Sequence, residues 1–223
     1  MALAKLILAY IQALAWPAVT VFALLLFRKP IVEIMTRLKG ADLPGGVSLD
    51  FGEGVRNVEA LSEAVAKASP VSQRERSTPM LPLTEANSRM ITLGLQPSPS
   101  GLDMRRYQDL SDQDPNAALA ALRMEIDIIA KNMAKGFKIE TRGNETASSL
   151  LKLLLSNQAI TPGQYELAHQ ILQLCNAAVH GRAVSRDQAD SIIDSAKVLA
   201  NDYLAWLSWG FGDGWSPANR GDG

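Results

Sequence analysis

Twenty-two consecutive residues without a charge, Leu6 to Phe27, limit what this chain can be more than any other feature. The run reads LILAYIQALAWPAVTVFALLLF, and its polar groups are few: Gln12, Thr20, the Tyr10 hydroxyl and the Trp16 indole. Wound as a helix it reaches roughly 33 Å, against a hydrocarbon core of about 30 Å. Pro17 near its middle predicts a kink, which spanning helices tolerate. A cleaved signal peptide is the rival reading, with Ala13-Leu14-Ala15 as a cleavage-like pattern. The apolar run continues well past that point, beyond a signal's apolar segment, so an anchor is the stronger reading. Lys5 is the one basic side chain before the run, whereas Arg28, Lys29, Arg37 and Lys39 follow it. Basic flanks stay in the cytoplasm, which places the N-terminus outside and the body on the inner face of a cytoplasmic membrane. The lipid bilayer is thus the first expected partner.

Composition removes several function classes. The chain of 223 residues carries a formal net charge of −1, so no global field draws it to nucleic acid. Cys175 is the single cysteine, which excludes an intrachain disulfide. With His169 and His180 as the two histidines, a dedicated zinc site within one chain is not expected, and no metal or other cofactor is implied. No phosphate-cradling glycine loop and no serine or cysteine nucleophile motif is present.

Beyond the anchor (1–29), residues 30–68 read as a juxtamembrane stalk. Ile31, Ile34, Met35 and Leu38 recur at helical spacing after Pro30, as in a short helix lying on a membrane surface with Arg37 and Lys39 at the headgroups. Val47, Leu49 and Phe51 then alternate with Ser48, Asp50 and Gly52, a strand pattern. A lone strand is not stable, so this one either pairs with another copy or serves as extended linker. Residues 54–68 read as a helix with a narrow stripe of Val55, Val58, Leu61 and Val65, suited to helix association. From 69 to 114 there are five prolines, seven serines and one aromatic residue, Tyr107, which predicts a flexible tether. Met80-Leu81-Pro82-Leu83 and Met90-Ile91-Thr92-Leu93 are docking-motif candidates within it, though an inert linker fits the composition better.

Residues 115–209 carry the clearest folding signals. Asp114-Pro115 is a cap and first-turn pair, followed by the stripe Leu119, Leu122, Ile126, Ile129, Met133 and a stop at Gly136. A second helix begins near Asn144 and holds Leu150, Leu151, Leu153, Leu154 and Leu155. Thr161-Pro162 opens a third that ends at Gly181, and Ser185 with Gln188 forms a capping box for a fourth. In that last helix Ala189, Ile192, Ala196, Leu199, Tyr203 and Trp206 share one face. Four amphipathic helices on short loops predict a compact bundle. The glycine-rich stretch 210–223 reads as a disordered tail. The expected fold class is therefore all-α: one transmembrane helix, a short strand and helix stalk, a disordered tether and a four-helix bundle.

Helical periodicity puts Leu167, Ile171, Leu174 and Ala178 on one side of the third helix. The other side holds His169, Gln173, Asn176 and His180, a continuous polar seam, with Arg182 just beyond. These five residues are the candidate binding site.

The stretch SLLKLLLSNQAITPGQYELAHQILQLCNAAVHGRAVSRDQADSIIDSAKVLANDYLAWL resembles the second half of a HEPN-like domain. The nearest likeness is to the bacterial domain-of-unknown-function family 4145, with ALAALRMEIDIIAKNMAKGF as the first helix, so the resemblance covers about residues 117–207. Such families carry Arg-Asn followed, after three residues, by His and often Gly, here Asn176, His180 and Gly181. In nuclease members the arginine and histidine, usually from two chains, cut RNA without metal. The resemblance implies that His180 would move the ribose proton and that an arginine would hold the phosphate. This chain has Cys175 at the arginine position, and cysteine supplies no cationic fork. Residues 115–207 also hold nine basic and nine acidic side chains, without the excess of positive charge expected of an RNA binder. The expectation is a membrane-anchored, cytoplasm-facing interaction or scaffold protein that self-associates, in a setting such as bacterial defence or stress response. The alternative is a membrane-tethered, metal-independent ribonuclease or toxin, with RNA as partner, His180 as acid/base and Asn176 orienting; no residue is assigned as catalytic outside it.

Overall fold

The structure, a computed structural model, describes residues 51–69 and 81–210. The run 6–27, the 30–39 segment, residues 47–50 and the tail beyond 210 lie outside them. Seven α-helices make up the described part: α1 (Phe51–Ala68), α2 (Leu83–Thr92), α3 (Arg105–Ser111), α4 (Pro115–Gly136), α5 (Ala147–Ser156), α6 (Pro162–Val179) and α7 (Arg186–Ala205). A widened turn, Trp206–Gly210, closes α7.

The starts of the last four helices are written locally. Asp114 accepts the Ala117 N–H at 3.0 Å and Pro115 occupies the first turn of α4. Thr146 caps α5 through the Ser149 N–H. Thr161 with Gln164, and Ser185 with Gln188, make reciprocal capping boxes on α6 and α7. The predicted stripe of α4 is buried at all five positions, and α4 is the hub, packed on α3, α5, α6 and α7. The expected helical bundle is present.

Within the described residues the rest of the expected fold class is corrected. Among the described residues no helix is long and apolar enough to cross a membrane, and there is no strand. Phe51, expected as a strand residue, begins α1 and is buried. The Val55, Val58 and Val65 stripe does not wait for another chain: α1 packs on α6 and α7 of its own bundle. The approach is tight, since a Cβ placed on Gly163 would sit 3.3 Å from Val65 Cγ2. At Phe51, the one described residue of the alternation, a helical stripe that continues through Val65 prevails.

The expected tether is also largely folded. Met90 is 0% exposed, and Leu95, Leu102, Met104 and Tyr107 are buried with it in the common core. The segment 81–111 is sewn on by polar contacts that satisfy its backbone. Asn132 donates to the Gln96 carbonyl and accepts the Gln96 N–H, at 2.7 and 2.8 Å. Asn87 holds the Ser98 N–H and carbonyl in the same manner. At the centre is Glu125 of α4, 0% exposed, whose Oε2 accepts from the Tyr107 hydroxyl at 2.5 Å and the Ser100 hydroxyl at 2.9 Å. Burial, then the bond to Glu125, raises the Tyr107 hydroxyl above its ordinary pKa. Composition alone argues for disorder because it averages over the segment. Here a few large apolar residues each find a pocket, and partners on α4 satisfy the polar ones.

Candidate functional site

The seam lies along the outer side of α6. Leu167, Ile171, Leu174 and Ala178 are buried on the opposite side, so the predicted division of this helix is observed. His169 is half-buried and stacks on Tyr165 one turn earlier, with ring centroids 5.6 Å apart and planes 10° from parallel. Gln173 and Asn176 are half-buried, and His180 and Arg182 are exposed.

The C-terminal end of the seam is held firmly. The His180 N–H donates to the Asn176 carbonyl at 2.9 Å, Gly181 adopts φ +91°, and the Arg182 N–H returns to the Ala177 carbonyl at 3.0 Å. This left-handed closure is the ordinary helix stop, for which glycine has no steric cost. Asn116, in the first turn of α4, donates to the carbonyls of both Ala178 and Arg182, at 2.8 and 2.7 Å. The backbone around His180 is thereby tied to α4 while the imidazole stays in solvent.

The structure brings together Asn176 and a residue that the sequence pattern did not single out. Arg123 of α4 donates from Nε to Asn176 Oδ1 at 2.5 Å. The two positions are 53 residues apart and meet because α4 and α6 run antiparallel, which no local spacing reveals. Cys175, at the position where the resemblance expects arginine, is fully buried. Burial pushes its thiol up to about 12, with the Arg123 charge acting weakly in the other direction. It is a core residue, and its side chain is no part of the seam.

His169 and His180 are eleven residues apart on α6 or its cap, about 16 Å along the axis. They cannot act on one reacting centre within a single chain. Among the described residues no group of three or more His, Cys, Asp or Glu side chains is placed to hold a metal ion. Arg123 and Asn176 instead line an open groove with Met124, Asp127, Ile128 and Leu172. Met124 is 55% exposed, and Val179, one turn beyond Asn176, is 47% exposed. The arrangement offers apolar contact beside a guanidinium and an amide that are hydrogen-bonded to each other. Compared with known proteins, the chain matches no family model, no curated protein and no solved structure.

Proposed function

We propose that this protein is a membrane-anchored interaction or scaffold protein, whose helical bundle self-associates or docks a protein partner at the cytoplasmic face of the membrane. The supporting observation is the α4–α6 face, where Met124 and Val179 stand exposed beside the Arg123–Asn176 bond. Exposed large apolar side chains next to an ordered cation are common at the centre of protein contacts. The membrane part of the reading rests on the uncharged run 6–27 and its basic C-terminal flank. Anchoring would raise the effective concentration of the bundle for any partner on the same surface. The HEPN-like resemblance of residues 117–207 belongs to the same proposal, with bacterial defence or stress response as its setting.

One observation favours the second reading, a membrane-tethered ribonuclease. Arg123 brings a guanidinium to Asn176, one turn from His180, and so supplies from α4 the kind of group that position 175 lacks. The deciding experiment incubates the full-length protein, purified in detergent, with single-stranded RNA in chelator. Intact RNA is expected. Cleavage that disappears in His180→Ala would reverse the order of the two readings. Membrane fractionation tests the location: the protein should leave the pellet with detergent and stay in it without.

A further inference from the structure

We propose that the occupant of the α4–α6 groove is the same groove of a second copy, with the two α4 helices crossing antiparallel about a twofold axis at the level of residue 125. The proposal rests on the interaction-protein reading above and names the partner for that face.

The argument starts from charge. Arg123 and Asp127 are the two charged residues among those lining the groove, one of each sign. They lie one turn apart on α4 and flank Met124. A twofold axis at residue 125 brings Arg123 level with the partner's Asp127, and Asp127 level with the partner's Arg123. A surface that is neutral as a whole and carries one charge of each sign about an apolar centre is self-complementary under such an axis. An RNA strand finds the opposite, because Asp127 repels phosphate where Arg123 attracts it.

The apolar part fits the same axis. Asn116 meets the end of α6 and Arg123 meets Asn176, so successive turns of α4 go with preceding turns of α6. Val179 therefore stands near the level of Ala120, one turn from Met124. Ala117, Ala120 and Ala121 are half-buried on this part of α4 and leave room for a second helix to come close. Met124 then packs against the partner's Met124, and Val179 extends the patch on each side. Both charges keep bonding capacity for a partner. Asn176 uses the Nε of Arg123 and leaves its Nη atoms out of that bond, while Asp127 bonds Lys131 at 2.5 Å. That exposed pair can exchange partners at little cost.

The test uses the full-length protein in detergent micelles, with its mass read by sedimentation equilibrium. Four samples are compared: wild type, Arg123→Asp, Asp127→Arg, and the double variant. Wild type and the double variant should be dimers. Each single reversal sets like charges opposite each other twice and should weaken self-association at least about tenfold. An equimolar mixture of the two single variants should recover dimer, since each then meets its complement. Circular dichroism on every sample checks that the substitutions leave the bundle folded. A wild-type monomer at tens of micromolar overturns the proposal, as does a dimer indifferent to both reversals. The second result leaves the interaction reading standing with another face in use. Only RNA cleavage dependent on His180 removes that reading itself.

Discussion

Replacing Glu125 by alanine should release the segment 95–111 from the bundle before the bundle itself unfolds. Glu125 Oε2 is the shared acceptor for the Tyr107 and Ser100 hydroxyls, and all three residues are buried. Removing it strands two donors away from water, at about 1–3 kcal/mol each. A total near 4 kcal/mol is the central expectation. For a domain of this size that corresponds to a fall in melting temperature of about 8–16 °C. The loss should be local at first, because these polar bonds join the segment to α4 beside its buried apolar residues, whereas α4 is also packed on α5, α6 and α7. Trypsin gives a direct readout at Arg105 and Arg106, which are exposed at the start of α3 but protected from cleavage while it stays helical. Cleavage there should accelerate well before the ellipticity falls. Glu125→Gln keeps a carbonyl acceptor for both hydroxyls but sets an amide NH2 where Oε1 has no hydrogen-bond partner, so it should lose about 1–3 kcal/mol and still protect the segment from trypsin better than Glu125→Ala does. If Glu125→Ala melts within about 2 °C of wild type and resists trypsin equally, the segment is not held by this carboxylate and the account of its folding is wrong.

Three further predictions test two separate parts of the structure. The Cys175 thiol, pushed up to about 12 by burial, should fail to react with a thiol reagent at pH 8 in the folded protein and react fully in denaturant; installing the arginine of the resembled motif by Cys175→Arg should cost more than about 4 kcal/mol, because the charge enters the core. Glu145 accepts the backbone N–H groups of Arg142 and Gly143, which hold its carboxyl below the usual range, the Arg142 bond first. A depressed carboxyl contributes stability that is full above its unfolded value and fades as pH falls through the folded one. Glu145→Gln should therefore lower the melting temperature at pH 7 and leave it nearly unchanged near pH 2, so an equal loss at both would show that the loop gains nothing from the charge.

How much was legible in the sequence follows from the range of each interaction. The starts of α4, α6 and α7 were readable because a cap, a proline and a Gln three residues on act within one turn, and Asp114, Thr161 and Ser185 each do so. The division of α6 into a buried and a polar side was readable because 3.6-residue periodicity is local too. The folding of 81–111 was not, since its stability lies in residues far along the chain. Ser100 and Tyr107 depend on Glu125, and Gln96 depends on Asn132. Glu125 and Asn132 look like ordinary polar positions of α4 until the facing segment is in place. The docking of α1 was hidden for the same reason: its valine stripe announces that a partner exists and leaves open whether that partner is the same chain. The candidate site divides along this line as well. His169, Gln173, Asn176 and His180 share one side of one helix, so spacing found them. Arg123 reaches Asn176 only through the antiparallel contact of α4 with α6, and Cys175 turns inward while its neighbour Asn176 turns out. The 100° between adjacent helical positions separates that neighbouring pair, and it means that a motif read as a string does not become a constellation unless each of its members lands on the same side.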